Sequence, residues 1–207
     1  MISKRCAALT ALVAWCALGL QLVLIIQKMT GEGAGVFEAV WRYFGFFTIL
    51  TNCAVAVVAT AMVFRSNSVL ANANVRLATA TAIFIVGLVY SVALRAIWQP
   101  TGWQAVVDHG LHDATPVLFV LSWLFSEHGQ LQWRSAAWAV APAFVYFVYA
   151  LVRGAADGWY AYWFLDPTSL SLTQMAANVV ILILSFSAVA LGFILLDKWL
   201  DQRHQRV

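Results

Sequence analysis

Nine residues, Asp108–Pro116 (DHGLHDATP), concentrate the polar chemistry of the chain. They hold two of its four histidines and two of its nine acids, directly before a long apolar run. On a helix His109 and His112 lie three apart and share a face. Pro116 has no N–H for the carbonyl of His112, which weakens the helix and predicts a kink there. Such groups are costly in lipid unless they line a cavity inside protein or bind a ligand, so the stretch reads as one wall of a site. The second wall is Trp41, Gly45, Thr48 and Asn52, whose three-or-four spacing puts them on one helical face. Gly45 would let a ligand or a helix approach the Thr48 hydroxyl. A hydroxyl nucleophile needs a base within about 2.6–3.2 Å, and His112 is the candidate across the cavity. Asp113 or Asp108 would orient that imidazole, and Arg95 or Asn52 would stabilise an oxyanion.

Plainer roles compete with these. A threonine in a membrane helix commonly bonds its own i−4 carbonyl, and Arg95 near a helix end can simply snorkel. Two histidines on one face suit a metal, but no third ligand is fixed by spacing, so neither a metal nor a cofactor is expected. His128 and His204 fall in a loop and a tail and read as solvated. Cys6, Cys16 and Cys53 are odd in number and suggest no disulfide framework or zinc spacing.

The elements that must position these groups follow from composition. Of 207 residues, 63% are hydrophobic and 10% charged, with a mean hydropathy of +0.82. That is the profile of a membrane protein. Ten Trp, 13 Phe and six Tyr fit aromatic belts at two interfaces. A net charge of +3, confined to helix ends, does not suggest nucleic acid as a partner. Apolar runs near the ~20-residue spanning length predict an all-α fold, a single bundle of six transmembrane helices. The spans read as 6–26, 37–64, 77–98, 111–125, 136–152 and 172–196, in one domain over 1–207. The first run exceeds a signal-peptide core and has no small-x-small cleavage site, so it reads as a span. Glu38 and Arg42 could pair at the mouth of the second span, and Pro142 predicts a kink in the fifth. Residues 99–107 must dip into the bundle if His112 is to reach the depth of Thr48.

Basic residues set the orientation. With both termini cytoplasmic, Lys4, Arg5, Arg65, Arg76, Arg134, Lys198, Arg203 and Arg206 lie inside, and only Lys28 and Arg153 fall in opposite loops. Gln21, Thr48, Asn52, Tyr90, Ser91, Arg95, His112, Asp113, Tyr146, Tyr149, Gln174 and Asn178 then gather in the outer half as one polar layer. Arg95 is expected to pair with an acid of 108–113, and to matter more for stability than Arg153 in its loop. The layer fits a lipid-processing site. The alternative is a non-enzymatic binder or transporter of a lipid or small molecule that uses the same cavity.

Three ordered segments carry a family resemblance: Phe46-Phe47-Thr48-Ile49-Leu50-Thr51-Asn52, His109-Gly-Leu-His112-(x3)-Pro116, and Trp159-Tyr160-x-Tyr162-x-Phe164-Leu165-Asp166. Together they resemble the androgen-induced membrane hydrolases, especially bacterial six-span relatives, over most of the chain from the second span onward. The resemblance implies a multi-pass protein of the cell membrane, in bacteria the inner membrane. It implies hydrolysis of fatty-acyl esters such as fatty acid esters of hydroxy fatty acids, with Thr48 as nucleophile and His112 as base. Asn52, Arg95, Asp108, His109, Asp113, Asp166 and Asn178 are the supporting candidates. The chain departs from the family where Trp163 replaces a motif proline, and where the His-to-Pro interval is four rather than five.

Overall fold

The computed structural model describes residues 2–65 and 67–204, the side chain of His204 excepted; Arg206 lies outside them. Among the described residues the chain is helical, with no strand. In order it forms α1 (Ile2–Gly31), α2 (Val36–Tyr43), α3 (Phe47–Phe64) and α4 (Ala73–Val89), the last continued by a π turn at Tyr90–Leu94. Then come α5 (Gly102–His109), a second π turn (Gly110–Ala114), α6 (Thr115–Leu124), α7 (Ser135–Asp157) and α8 (Leu172–His204). Five of these stretches, Ile2–Gly31, Phe47–Phe64, Ala73–Leu94, Ser135–Asp157 and Leu172–Arg203, are long and apolar enough to cross a membrane. The fold is thus all-helical and compatible with a membrane-embedded bundle.

Three sequence boundaries move. The second run, read as one helix over 37–64, is broken between Tyr43 and Phe47. The fourth begins at Gly102 rather than Leu111, and α5, its π turn and α6 form one rod of about 34 Å. No dipping loop is therefore needed to carry His112 to depth. The polar side chains of this added stretch find partners, Gln104 donating to Gln21 of α1 at 2.8 Å. The fifth helix runs on to Asp157, and Arg153, expected in a loop, is 4% exposed.

α4 is the axis of the bundle and packs on α3, α6, α7 and α8, while α1 lies against α3 and α6. The helices approach closely because small residues meet at their crossings: Ala7, Ala14, Ala56, Ala59, Ala80, Ala139 and Ala190 are fully buried. Thr10 and Ser122 hydroxyls join α1 to α6 at 2.9 Å. Gly87 eases the close approach of α4 to the rod, since a Cβ there would stand a tight 3.2 Å from both the His112 carbonyl and Pro116. Large apolar side chains such as Phe37, Val92, Leu172 and Leu184 face outward, as a lipid-facing surface requires.

The end of the bundle away from Asp108–Pro116 is closed by Asp197 of α8. Its carboxylate accepts the Gly129 and Leu131 N–H groups at 3.1 and 3.2 Å and contacts His128 Nδ1 at 3.0 Å. His128 is therefore buried, its side chain 5% exposed, rather than solvated as its loop position suggested.

Candidate functional site

The site is built on the break between α2 and α3. Both would read as one apolar helix, but Gly45 admits no side chain: a Cβ would meet Arg153 Nη1 and a Trp159 ring carbon at 2.6 Å. The carbonyls freed at the break are taken by tyrosines of α7, Phe44 O by the Tyr149 hydroxyl at 3.1 Å and Gly45 O by the Tyr146 hydroxyl at 2.9 Å. The chain restarts at Phe47, so Thr48 sits in the first turn of α3. There its carbonyl of residue i−4, Phe44, is already bonded to Tyr149, and the N–H groups of the turn have no intrahelical acceptor. The Thr48 N–H donates to the Tyr162 hydroxyl at 3.5 Å, and that phenol also lies beside the Thr48 side chain. Burial pushes the Tyr162 phenol above the usual tyrosine range.

The break also disperses the expected face of residues 41, 45, 48 and 52. Trp41 lies in the preceding helix and donates to Asp157 at 2.7 Å, with the Arg153 guanidinium 4.4 Å over its ring. Arg42, expected to pair with Glu38, instead stacks over Trp159 at 4.1 Å.

Opposite Thr48, two π turns face each other, and each carries a ring of the site. Tyr90 opens the turn on α4 and His112 lies in the turn of the rod; the rings stack with centroids 4.1 Å apart and planes 12° from parallel. His112 Nδ1 is 3.0 Å from the Asp108 carbonyl and 3.2 Å from its carboxylate. Both of these Asp108 oxygens accept, so the ring proton belongs on Nδ1 and the lone pair on Nε2. Asp108 is 3% exposed, and the Tyr90 hydroxyl donates to its second oxygen. The acid that holds the imidazole is thus Asp108, one of the two considered.

Thr48 and His112 line one cavity of about 70 Å³, together with Phe47, Tyr90, Tyr146, Tyr162, Phe164 and Phe186. Space of that size holds a few waters or one reacting group. The cavity, rather than a direct hydrogen bond, stands between the two side chains.

The other candidates lie elsewhere. Asn52 does not reach the cavity: its Nδ2 donates to Thr48 O at 2.8 Å and to Leu111 O, in the π turn, at 3.3 Å. Its amide braces the turn's backbone and is not free for an oxyanion. Arg95 pairs with Asp113 over the Tyr90 ring, both side chains more than a third exposed, and His109 Nδ1 reaches the same carboxylate at 2.7 Å. Asp113 is therefore engaged away from His112, and Arg95 away from the cavity. Asp166 accepts from the Thr168 hydroxyl and N–H at 2.6 and 2.8 Å, which holds its carboxyl below the usual range. Asn178 donates to Phe164 O at 2.9 Å and ties the aromatic segment to α8.

Residue-level reading of the sequence missed the clasp around Gly45. Its signal was present: Tyr146, Tyr149 and Arg153 follow three-and-four spacing and share a face of α7. No family model, no curated protein and no solved structure matches the chain.

Proposed function

We propose that this is a six-span membrane hydrolase of lipid esters, with Thr48 as nucleophile, His112 as general base and Asp108 as the residue that positions His112. In this reading the rod from Gly102 to Leu124 serves as the sixth span, and the excess of basic residues at the His128 end favours cytoplasmic termini. The observation that carries the reading is that Thr48 and His112 line one small cavity while Asp108 holds His112 Nδ1. The likeness of the three motifs to androgen-induced membrane hydrolases points the same way.

In this mechanism His112 Nε2 takes the Thr48 proton as Oγ1 attacks the ester carbonyl. Charge developing on the carbonyl oxygen meets the positive end of the α3 dipole, where the Thr48 N–H and the Tyr162 hydroxyl lie together. Collapse of the intermediate breaks the ester C–O bond, and His112 returns the proton to the departing alkoxide. Water, deprotonated by His112, then cleaves the acyl-threonine and regenerates Thr48 with release of the fatty acid. Asp108 keeps the imidazole in the required tautomer and stabilises it when it is charged.

A fluorophosphonate probe should label Thr48 stoichiometrically. Thr48→Ala and His112→Ala should each abolish turnover of a p-nitrophenyl ester, the double variant being no worse than either. A protein that folds and binds lipid but takes no label would be a binder or transporter, and full turnover by Thr48→Ala would refute the nucleophile.

A further inference from the structure

The cavity shared by Thr48 and His112, about 70 Å³, has no room for a fatty chain. A second cavity of about 620 Å³ adjoins it, lined by α3, α4 and α7. The two share Phe47 and Tyr146, whose rings pack 5.0 Å apart. They also occupy successive levels of α4: the small cavity uses Ile85–Tyr90, the larger one Val75–Ala82. On α7 their linings overlap, Ala143–Phe147 for the smaller and Pro142–Tyr149 for the larger, so the two lie side by side with the Phe47–Tyr146 ring pair between them.

Its walls are almost wholly apolar, with Leu50, Ala54, Ala78, Ala82 and Val145 among them. It exists because α7 packs along α4 and α8 rather than along α3. Pro142, inside α7, lies on its wall and has no N–H for the carbonyl of Trp138. Ala54 is exposed, so the groove opens sideways on the apolar surface of the bundle. In a bilayer the matter that meets that surface is hydrocarbon.

We propose that this groove holds the acyl chain of the ester, with the Phe47–Tyr146 ring pair as the gate through which the carbonyl end reaches Thr48. The proposal rests on the hydrolase reading for its reaction but not for its ligand. Rotation of the Phe47 ring would join the two volumes, while Tyr146 stays fixed by its bond to Gly45 O. Depth along α4 then limits the chain length that fits, and small residues leave the floor open.

Two measurements test it. Photolabelling with a diazirine-bearing long-chain fatty acid, mapped by mass spectrometry, should mark 50–54 and 75–82, and Ala78→Phe should reduce that label at least fivefold. The readout needs no turnover, so it stands even if hydrolysis is never seen. Label spread evenly over outward residues such as Val92 and Leu184, and unaffected by Ala78→Phe, would overturn the groove. In the hydrolysis assay, Ala78→Phe and Ala54→Phe should lower kcat/KM for a dodecanoyl or longer ester tenfold or more and leave an acetyl ester within twofold. Equal losses on both esters would overturn the chain-binding role while leaving Thr48 and His112 as the hydrolytic pair.

Discussion

Arg153→Ala should be among the most destabilising single changes outside the apolar core. The guanidinium side chain is 3% exposed, donates to the Tyr149 hydroxyl at 3.1 Å and lies 4.4 Å over the Trp41 ring. A desolvated cation–π contact contributes about 2 kcal/mol, and a hydrogen bond from a charged donor about 1.5–3 kcal/mol. Asp157 is not orphaned, because Trp41 Nε1 and the Trp159 N–H still reach it at 2.7 and 2.9 Å. The loss is then roughly 3–5 kcal/mol, or of order 10 °C in Tm for a chain of this size. Arg153→Lys keeps the charge without the planar fork and should fall between. Arg95→Ala is the comparison, since its pair with Asp113 is open to solvent and solvent-exposed pairs contribute little. Thermal melts in one detergent, followed by intrinsic tryptophan fluorescence, give the three shifts side by side. Equal shifts for Arg153→Ala and Arg95→Ala would show that the clasp around Gly45 does not hold the fold.

Asp108→Asn preserves volume and can still accept from Tyr90, so its melt should stay within a few degrees of the parent while kcat for a short ester falls about a thousandfold. An unchanged kcat would confine Asp108 to a structural role. Asp197→Ala removes the acceptor of two loop N–H groups and of buried His128, at a cost of about 3–5 kcal/mol. Hydrogen exchange over 126–133 should accelerate more than tenfold; unchanged protection there would mean the loop is held instead by Lys198, which donates to Leu131 O at 3.3 Å and lies over the Trp133 ring.

Fold class was legible because composition and run length report burial in lipid directly, with no need of tertiary detail. Span boundaries failed where polar residues are satisfied by partners on other helices: Gln104 by Gln21, and Asp108 by Tyr90. The break at Gly45 was hidden for a related reason, since its carbonyls are capped by tyrosines about a hundred residues later in the chain. The exposure of Arg95 and the burial of Arg153 ran opposite to expectation. Position near a span end could not show that α7 continues past Val152, nor that Trp41 and Trp159 wait to enclose the guanidinium. Thr48 and His112 could be named from residue type, but their shared cavity depends on a helix start and a π turn that periodicity does not reveal.

The two facing π turns bear on chain length. A π turn holds one residue more than an α-helix of the same rise, and its bonds run back five residues, as from Arg95 N–H to Tyr90 O and from Thr115 N–H to Gly110 O. Deleting one residue from Gly110–Ala114 would let the rod rewind as regular helix between Asp108 and Pro116, and the residues between them would be re-aimed. His112 could not then stack on Tyr90 while Pro116 kept its seat against Gly87. In chains descended from a common ancestor with this one, single-residue gaps at these two places should therefore coincide with loss of the Asp108–His112 pair. An insertion or deletion that spares Thr48, Asp108 and His112 could silence the site as surely as replacing His112.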